Sequence, residues 1–321
     1  MQFKEKINQL TAIIENTLVP LIDNDFVLME LPYYNNIGDV LIWEGELQFI
    51  RKHLRKYSLL YACSMHTCTY PNLKKNAIIL LQGGGNFGDL WFKPQEFRRK
   101  IIKRYPDNKI IILPQTVWYD NEECMHEDAA LLSKHNNLTI CARDKNSYLI
   151  LKQCFTVNTV LLVPDMAFCI PVYKLKKNQV KQGKKNLFLR RNDKELNRTI
   201  DYLTNISEID FDVHDWPSME KIMISCFFMR CFLWASRRMM FLFSKLADIY
   251  ASLVFKPNVI KTGVRFISKY ENIYTTRLHV AILCCLLEKP CTFFDNSYGK
   301  NNSFYETWLS DLDGMKFIAG I

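Results

Sequence analysis

The sequence predicts an α/β protein with a doubly wound first domain and a second, smaller α/β domain, on three observations. Short apolar runs rich in Ile, Leu and Val alternate with helical stretches from about residue 25 to 168. Several runs, such as "NAIILLQ" (76–82) and "KIIILPQ" (109–115), are apolar throughout, as in a parallel sheet covered on both faces. After a basic stretch, "YKLKKNQVKQGKKN" (173–186), the alternation restarts at "LFLRR" (187–191).

The elements follow in order. Residues 3–18 have the apolar spacing of an opening amphipathic helix. "DFVLMEL" (25–31) is the first strand, followed by a polar turn and the helical "VLIWEGELQFIRKHL" (40–54). Strand 76–82 leads through a glycine-rich stretch to a helix opened by Pro94, whose missing N–H is not needed in a first turn. Strands at 109–115, 138–144 and 160–168 complete the first domain. In the second, strands at 187–191 and 210–216 precede an apolar, basic helical segment, and helix, strand, helix and strand run to the end. The linker divides the chain into residues 1–175 and 182–321.

Hydrophobic residues make up 49% and charged residues 23%, a composition that folds rather than one that stays disordered. The 42 Lys and Arg against 33 Asp and Glu leave a net charge of +9, which favours phosphorylated metabolites, acidic polymers or a charged membrane face. Eleven cysteines include no C-x-x-C pair, and "MQFKEKINQL" lacks the apolar core of a signal peptide. Reduced thiols in a cytoplasmic protein are therefore expected. No Cys/His cluster has metal-ligand spacing, so no metal is expected.

In "AIILLQGGGNFGDLWFKPQ" (77–95), Gly83, Gly85 and Gly88 have the spacing G-x-G-x-x-G of a dinucleotide-binding turn. The context argues against it. Such a turn runs straight into a helix whose N-terminus carries pyrophosphate, whereas here Asp89 follows at once and Pro94 delays the helix. The acid that should hold a ribose is also missing from the end of the next strand. Close backbone approach to another ligand is the better reading of three consecutive glycines followed by Asn86. "NNIGDVLIWEG" (35–45) places a second glycine turn and an acid, Asn36, Gly38 and Asp39, at the same carboxyl edge of the sheet. Ligands of open α/β sheets bind at that edge.

These motifs resemble those of the polysaccharide pyruvyl transferase family. The resemblance runs from residue 33 to about 308, through "NIGD" (36–39), "GGGNFGD" (83–89), "LPQT" (113–116) and "ARDKNS" (142–147), then "PDMAF" (164–168), "LFLRR" (187–191), "TTRLH" (275–279) and "FDNSYGK" (294–300). Departures are Asn35 in place of a glycine, "QTVWY" in place of a Gln-Ser-x-Gly-Pro turn, and Thr275 in place of a serine. The resemblance implies two Rossmann-like domains in a GT-B-like arrangement around an interdomain cleft. It implies transfer of pyruvate from phosphoenolpyruvate, with no cofactor, onto two hydroxyls of a sugar as a cyclic ketal in cell-surface glycan biosynthesis. The acceptor would belong to the first domain and phosphoenolpyruvate to the second. A nucleotide-sugar glycosyltransferase and a non-catalytic glycan-binding protein are the alternatives. No nucleic acid is expected.

That chemistry needs cations for a carboxylate and a phosphate, an acid for the vinyl carbon and a base for the acceptor. Arg277 and His279 stand where a strand meets an apolar helical run, and His279, with a reference pKa nearest neutrality, is the expected acid. Arg190, Arg277, Leu278 and Lys300 are expected at phosphoenolpyruvate. Arg191 competes with Arg190, since neighbours on a strand point opposite ways. Asp39 and Asp89 are expected to orient or deprotonate acceptor hydroxyls. Asn36, Gly38, Gly84, Gly85, Asn86, Gln115 and Arg143 would form the remaining cleft loops.

"KIMISCFFMRCFLWASRRMMFLFSKLADIYASLVFK" (221–256) places Arg230, Arg237, Arg238, Ser244, Lys245 and Asp248 on one arc at 100° per residue, opposite a broad apolar arc. It is either buried helix of the second domain or a peripheral contact with the inner face of the membrane, which a lipid-linked oligosaccharide acceptor would suit.

Overall fold

The computed structural model describes residues 1–193, 195, 210–221, 223–239 and 241–319. Two parallel sheets organise the chain, each from one half of it. The first contains β1 (Phe26–Met29), β2 (Leu59–Ala62), β3 (Ile78–Leu81), β4 (Gly84–Gly88), β5 (Ile110–Trp118), β6 (Leu138–Ala142) and β7 (Thr159–Leu162). Its order is β2-β1-β3-β5-β6-β7, with β4 pairing β5. Register explains β4: Leu81 faces Ile112 and Gly84 faces Gln115, so β4 continues β3 after a break at Gln82 and Gly83. The second sheet runs β12-β11-β10-β8-β9, from β8 (Asn186–Leu189), β9 (Phe211–His214), β10 (Asn272–Thr275), β11 (Cys291–Phe294) and β12 (Met315–Ile318).

Both sheets have the same topology. In each, the chain starts centrally, steps outward one way, then returns across the first strand and continues the other way. The reversals fall between β1 and β3 and between β8 and β10. Open α/β sheets bind ligands beyond the carboxyl ends of the strands at such points.

The described helices are α1 (Phe3–Leu18), α2 (Ile37–His53), α3 (Phe92–Arg104), α4 (Glu122–Leu132), α5 (Lys145–Cys154) and α6 (Val172–Lys176), then α7 (Pro217–Glu220), α8 (Ile224–Met239), α9 (Phe241–Tyr250), α10 (Lys256–Ser268), α11 (Leu278–Leu286) and α12 (Lys300–Phe304). α1 matches the expected 3–18 and ties the chain's start to the second half, through Lys6 with Asp311 at 2.5 Å. One apolar core runs through both halves, from Ile7 and Leu41 to Val280 and Phe304.

Three expectations are corrected. β2 and β4 were not foreseen as strands. α2 begins at Ile37, not residue 40, because Asn36 caps it: its side chain accepts from the Gly38 N–H at 3.0 Å and donates to Asp39 at 2.7 Å. Gly38 is therefore helical, not part of a turn. The segment 221–256 is no single helix with one arc. α8 and α9 fold back on each other, with Tyr250 Oη donating to the Ser225 carbonyl at 3.2 Å, and residues 222 and 240 lie outside those described.

Asp248 on α9 joins this hairpin to the first domain. Its Oδ1 accepts from Tyr33 Oη at 2.9 Å and from Thr67 Oγ1 at 2.7 Å. Burial pushes its carboxyl up to about 6, against the pull of those two donors. Between its ordinary value of 3.8 and about 6, the folded chain keeps a proton that the unfolded chain has released, so stability falls as pH rises through that window. Asp248→Asn keeps an oxygen for both donors. It should raise stability near pH 8 by about 1–2 kcal/mol after solvent screening, and leave it unchanged below the ordinary carboxylate range. Urea titrations at the two pH values check this.

Candidate active site

The two reversal points face each other across a cleft of about 710 Å³. From the first sheet come the loop after β1 with the start of α2 (Tyr34, Asn36, Asp39) and the stretch after β3 (Gly85, Asn86, Asp89). From the second come the segment after β8 (Arg191, Asp193, Glu195) and the turn from β10 into α11 (Arg277, Leu278, His279). Arg143 follows β6 and Lys300 opens α12.

Glycines permit the closest contacts. A Cβ on Gly38 would lie 2.5 Å from His279 Nδ1, so the imidazole presses on the first turn of α2. A Cβ on Gly85 would lie 2.7 Å from Arg143 Nη2 and 3.7 Å from Lys300 Nζ. The glycine-rich stretch is thus neither a dinucleotide turn nor a bare loop; it is backbone thinned where cationic side chains approach it.

Arg98 of α3 supports that stretch from below. All of its donors are used: on both Glu30 oxygens at 2.6 and 3.0 Å, on the Asn86 carbonyl at 3.0 Å, on Gln95 at 3.1 Å, and on the Asn86 side-chain oxygen. Burial lifts the Glu30 carboxyl to about 7 despite the Arg98 guanidinium. Gln115 is fully buried, donates to the Gln82 carbonyl at 2.7 Å and does not line the cleft. Gly84 lies beside it, 3.8 Å from its Oε1 at the Cβ position.

His279 is the meeting point of the two halves. Its Nε2 lies 3.3 Å from Asp165 Oδ2 and 3.5 Å from Arg143 Nη1, while Arg143 reaches the same Asp165 oxygen at 2.8 Å. Burial opposes ionisation of Asp165, yet His279 and Arg143 hold its carboxyl well below the usual range. The arrangement presents both a carboxylate and a guanidinium to the same ring nitrogen.

The remaining cations are paired before any ligand arrives. Arg277 stands at the N-cap position of α11 and grips Asp215 with Nε at 2.5 Å and Nη2 at 2.6 Å, with Asp193 at 3.4 Å. Arg191 holds Asp193 and Glu195 at 2.7 Å, and Lys300 bonds the same Glu195. Burial lowers the Lys300 ammonium to about 8, against the opposing pull of Glu195. Lys300 and Arg191 bring Glu195 down to about 2 although burial works the other way.

The structure gathers most of the site residues expected from the sequence. His279, Asp39, Arg277, Leu278, Lys300, Asn36, Gly85, Asn86, Asp89 and Arg143 line one cleft. Arg191 lines it in place of Arg190. Both oxygens of Asp89 accept backbone N–H groups of Asp120 and Asn121 at 2.8–3.0 Å, so it pins a turn. Asp39 receives Tyr34 and Asn36 on Oδ2 alone. Sequence reasoning gave no role to Asp165, Asp193, Glu195 or Asp215. The signal available was the position of Asp165 within "PDMAF" and of Asp215 within "DVHDW", each just beyond the carboxyl end of a strand.

The two parallel-sheet domains stand in a GT-B-like arrangement, with the candidate site at their paired sheet edges. An uncharacterized Klebsiella pneumoniae protein of known crystal structure shares the fold, with a TM-score of 0.61 at 21% identity over 97% of this chain and 98% of its own. The sequence profile of polysaccharide pyruvyl transferases matches residues 36–298, and the chain belongs to that family. Relatives include a Bacillus subtilis (strain 168) protein named "Putative pyruvyl transferase EpsO", 30% identical over 99% of this chain and 94% of its own. Another is "Pyruvyl transferase 1" of Schizosaccharomyces pombe (strain 972 / ATCC 24843), 25% identical over 91% of this chain and 72% of its own. "General stress protein 30" of B. subtilis is 26% identical over 89% and 78%. Membership implies a transferase with a sugar or polysaccharide acceptor.

Gly38→Ala tests the contact between the halves. The new methyl should displace the His279 ring from Asp165 and cost about 1–3 kcal/mol of stability through overpacking. Denaturant titration gives the cost, and a changed imidazole NMR signal for His279 reports the displacement.

Proposed function

We propose that the protein transfers the pyruvyl group of phosphoenolpyruvate to two hydroxyls of a sugar as a cyclic ketal, in the biosynthesis of a capsular or extracellular polysaccharide. The observation that carries this reading is the convergence of His279, backed by Asp165, with Arg143, Arg191, Arg277 and Lys300 at the two sheet edges. The guanidinium groups suit a carboxylate and a phosphate held bidentately. His279 protonates the methylene carbon, leaving C2 electrophilic. One sugar hydroxyl adds at C2, phosphate departs, and the second hydroxyl closes the ketal. Of the two hydroxyl protons lost, one replaces the proton given to the methyl group and the other leaves with phosphate. Asp39, whose Oδ1 has no hydrogen bond among the described residues, is the base for the first hydroxyl. Asp89 is held by backbone amides and orients rather than deprotonates.

Phosphoenolpyruvate should stabilise the protein against heat, and a hexose-containing acceptor should then release inorganic phosphate. Stabilisation by a nucleotide sugar instead would sink this reading. His279→Gln should leave phosphoenolpyruvate binding nearly intact while lowering turnover by about 10²–10⁴. Arg277→Ala should weaken binding itself by about 2–5 kcal/mol, with circular dichroism checking that the loss of the partner of Asp215 has not unfolded the chain. Arg277→Lys should rescue only part of the loss, because a point charge lacks the guanidinium fork.

The pH dependence has a definite sign. Lys300 is charged below about 8 and neutral above it, so phosphoenolpyruvate affinity should fall as pH rises through that value. Calorimetry on Lys300→Gln should show weaker binding with this inflection gone.

A further inference from the structure

The hairpin of α8 and α9 is built inside out for a soluble surface. Of its seven buried positions among the described residues, Ser225, Cys226, Ser236, Ser244 and Ala247 are small and two, Met229 and Leu233, are large, whereas most of its large apolar side chains point outward. Nine of the twenty exposed large hydrophobic side chains among the described residues fall between 224 and 254, so the apolar surface is concentrated on one structure. On α9 and the turn beyond it, Leu242, Leu246, Ile249 and Leu253 recur at helical spacing, 40–72% exposed. Phe227, Phe228 and Trp234 do the same on α8. A solvated helix places its charged face there.

Charge selects what covers this face. Arg230, Arg237, Arg238 and Lys245 are exposed around it, and Arg238 lies over the Trp234 ring at 4.7 Å. The one acid between 224 and 254, Asp248, is turned inward onto Tyr33 and Thr67. A second copy of the chain would set like charges against each other, whereas an anionic lipid surface answers both the apolar stripe and its basic border. Helices of 16 and 10 residues are too short to cross a bilayer, and no described helix is long and apolar enough to do so.

We infer that the α8–α9 hairpin docks the protein flat onto an anionic membrane, with its apolar side chains among the acyl chains and its arginines at the headgroups. The surface adjoins the cleft: Arg237 Nη2 lies 3.3 Å from His66 Nδ1, and His66, Met65 and Met219 line the cleft. Docking therefore brings the cleft beside the bilayer, where a sugar carried on a lipid would enter it. The lipid-borne acceptor rests on the function proposed above; the docking does not.

The test is sedimentation of the full chain with phosphatidylcholine vesicles, with and without phosphatidylglycerol, in the absence of substrates. Binding is expected only with phosphatidylglycerol, and it should weaken as salt is raised. Replacing Arg230, Arg238 and Lys245 together with Gln should weaken it by roughly a hundredfold. Leu242→Gln with Ile249→Gln should weaken it by at least about tenfold, since two apolar side chains no longer transfer into lipid. The melting temperature should hold in both variants, because the altered side chains are exposed. Native protein left in the supernatant with both vesicle types overturns the proposal. So does a dimer, seen by light scattering, that the apolar variant dissociates. Phosphate release with a water-soluble acceptor should be unchanged in these variants. Its absence from a native protein that binds vesicles would overturn the proposed reaction alone.

Discussion

The structure depends on a contact with no room for a methyl group: the His279 imidazole against the backbone of Gly38. It sets the separation of the two sheets at their carboxyl edges, because the ring and the first turn of α2 are each held from behind and neither gives way without cost. The ring is held behind by Asp165 and Arg143, and the turn is capped by Asn36. Gly85 repeats the arrangement in the stretch after β3, with Arg143 and Lys300 as the approaching groups. Interiors are packed too densely for such contacts to be absorbed elsewhere. The geometry of the cleft is thus a consequence of two positions where a side chain is missing.

Much of this was legible in the sequence. All-apolar runs such as "KIIILPQ" marked the buried parallel strands, since a strand covered on both faces has no polar side to show. The strands that escaped notice lacked that signature. β2 lies at a sheet edge with Leu59 and Leu60 exposed, and β4 is "GGNFG", whose composition reads as a turn. It is a strand only because β5 extends beside it, with a bulge between Gly84 and Phe87.

The site was legible as motifs but not as partners. Glycine and aspartate after a strand pointed to the cleft edge, and "TTRLH" pointed to cations beside an acid. The carboxylates that hold those cations could not be assigned, because Asp165 and Asp215 reach Arg143 and Arg277 across 22 and 62 residues of chain. Arg190 and Arg191 could not be separated either, since composition alone does not decide which side chain faces inward. The segment 221–256 misled for a related reason. One helical wheel over two antiparallel helices averages faces that point in different directions.

The prior pairing of the cleft's arginines has a consequence for selectivity. Asp193, Glu195 and Asp215 are tethered beside their partners, so each acts as a competitor at an effective concentration of about millimolar or higher. An incoming anion does not fill an empty positive hole; it exchanges with a resident one. A lone weak anion, such as chloride, loses that exchange at every cation in turn. A ligand with two anionic groups on a short rigid frame displaces two residents in a single event, and the second displacement is intramolecular. The cleft thus rejects the common ions of its surroundings by the same carboxylates that hold its arginines in place.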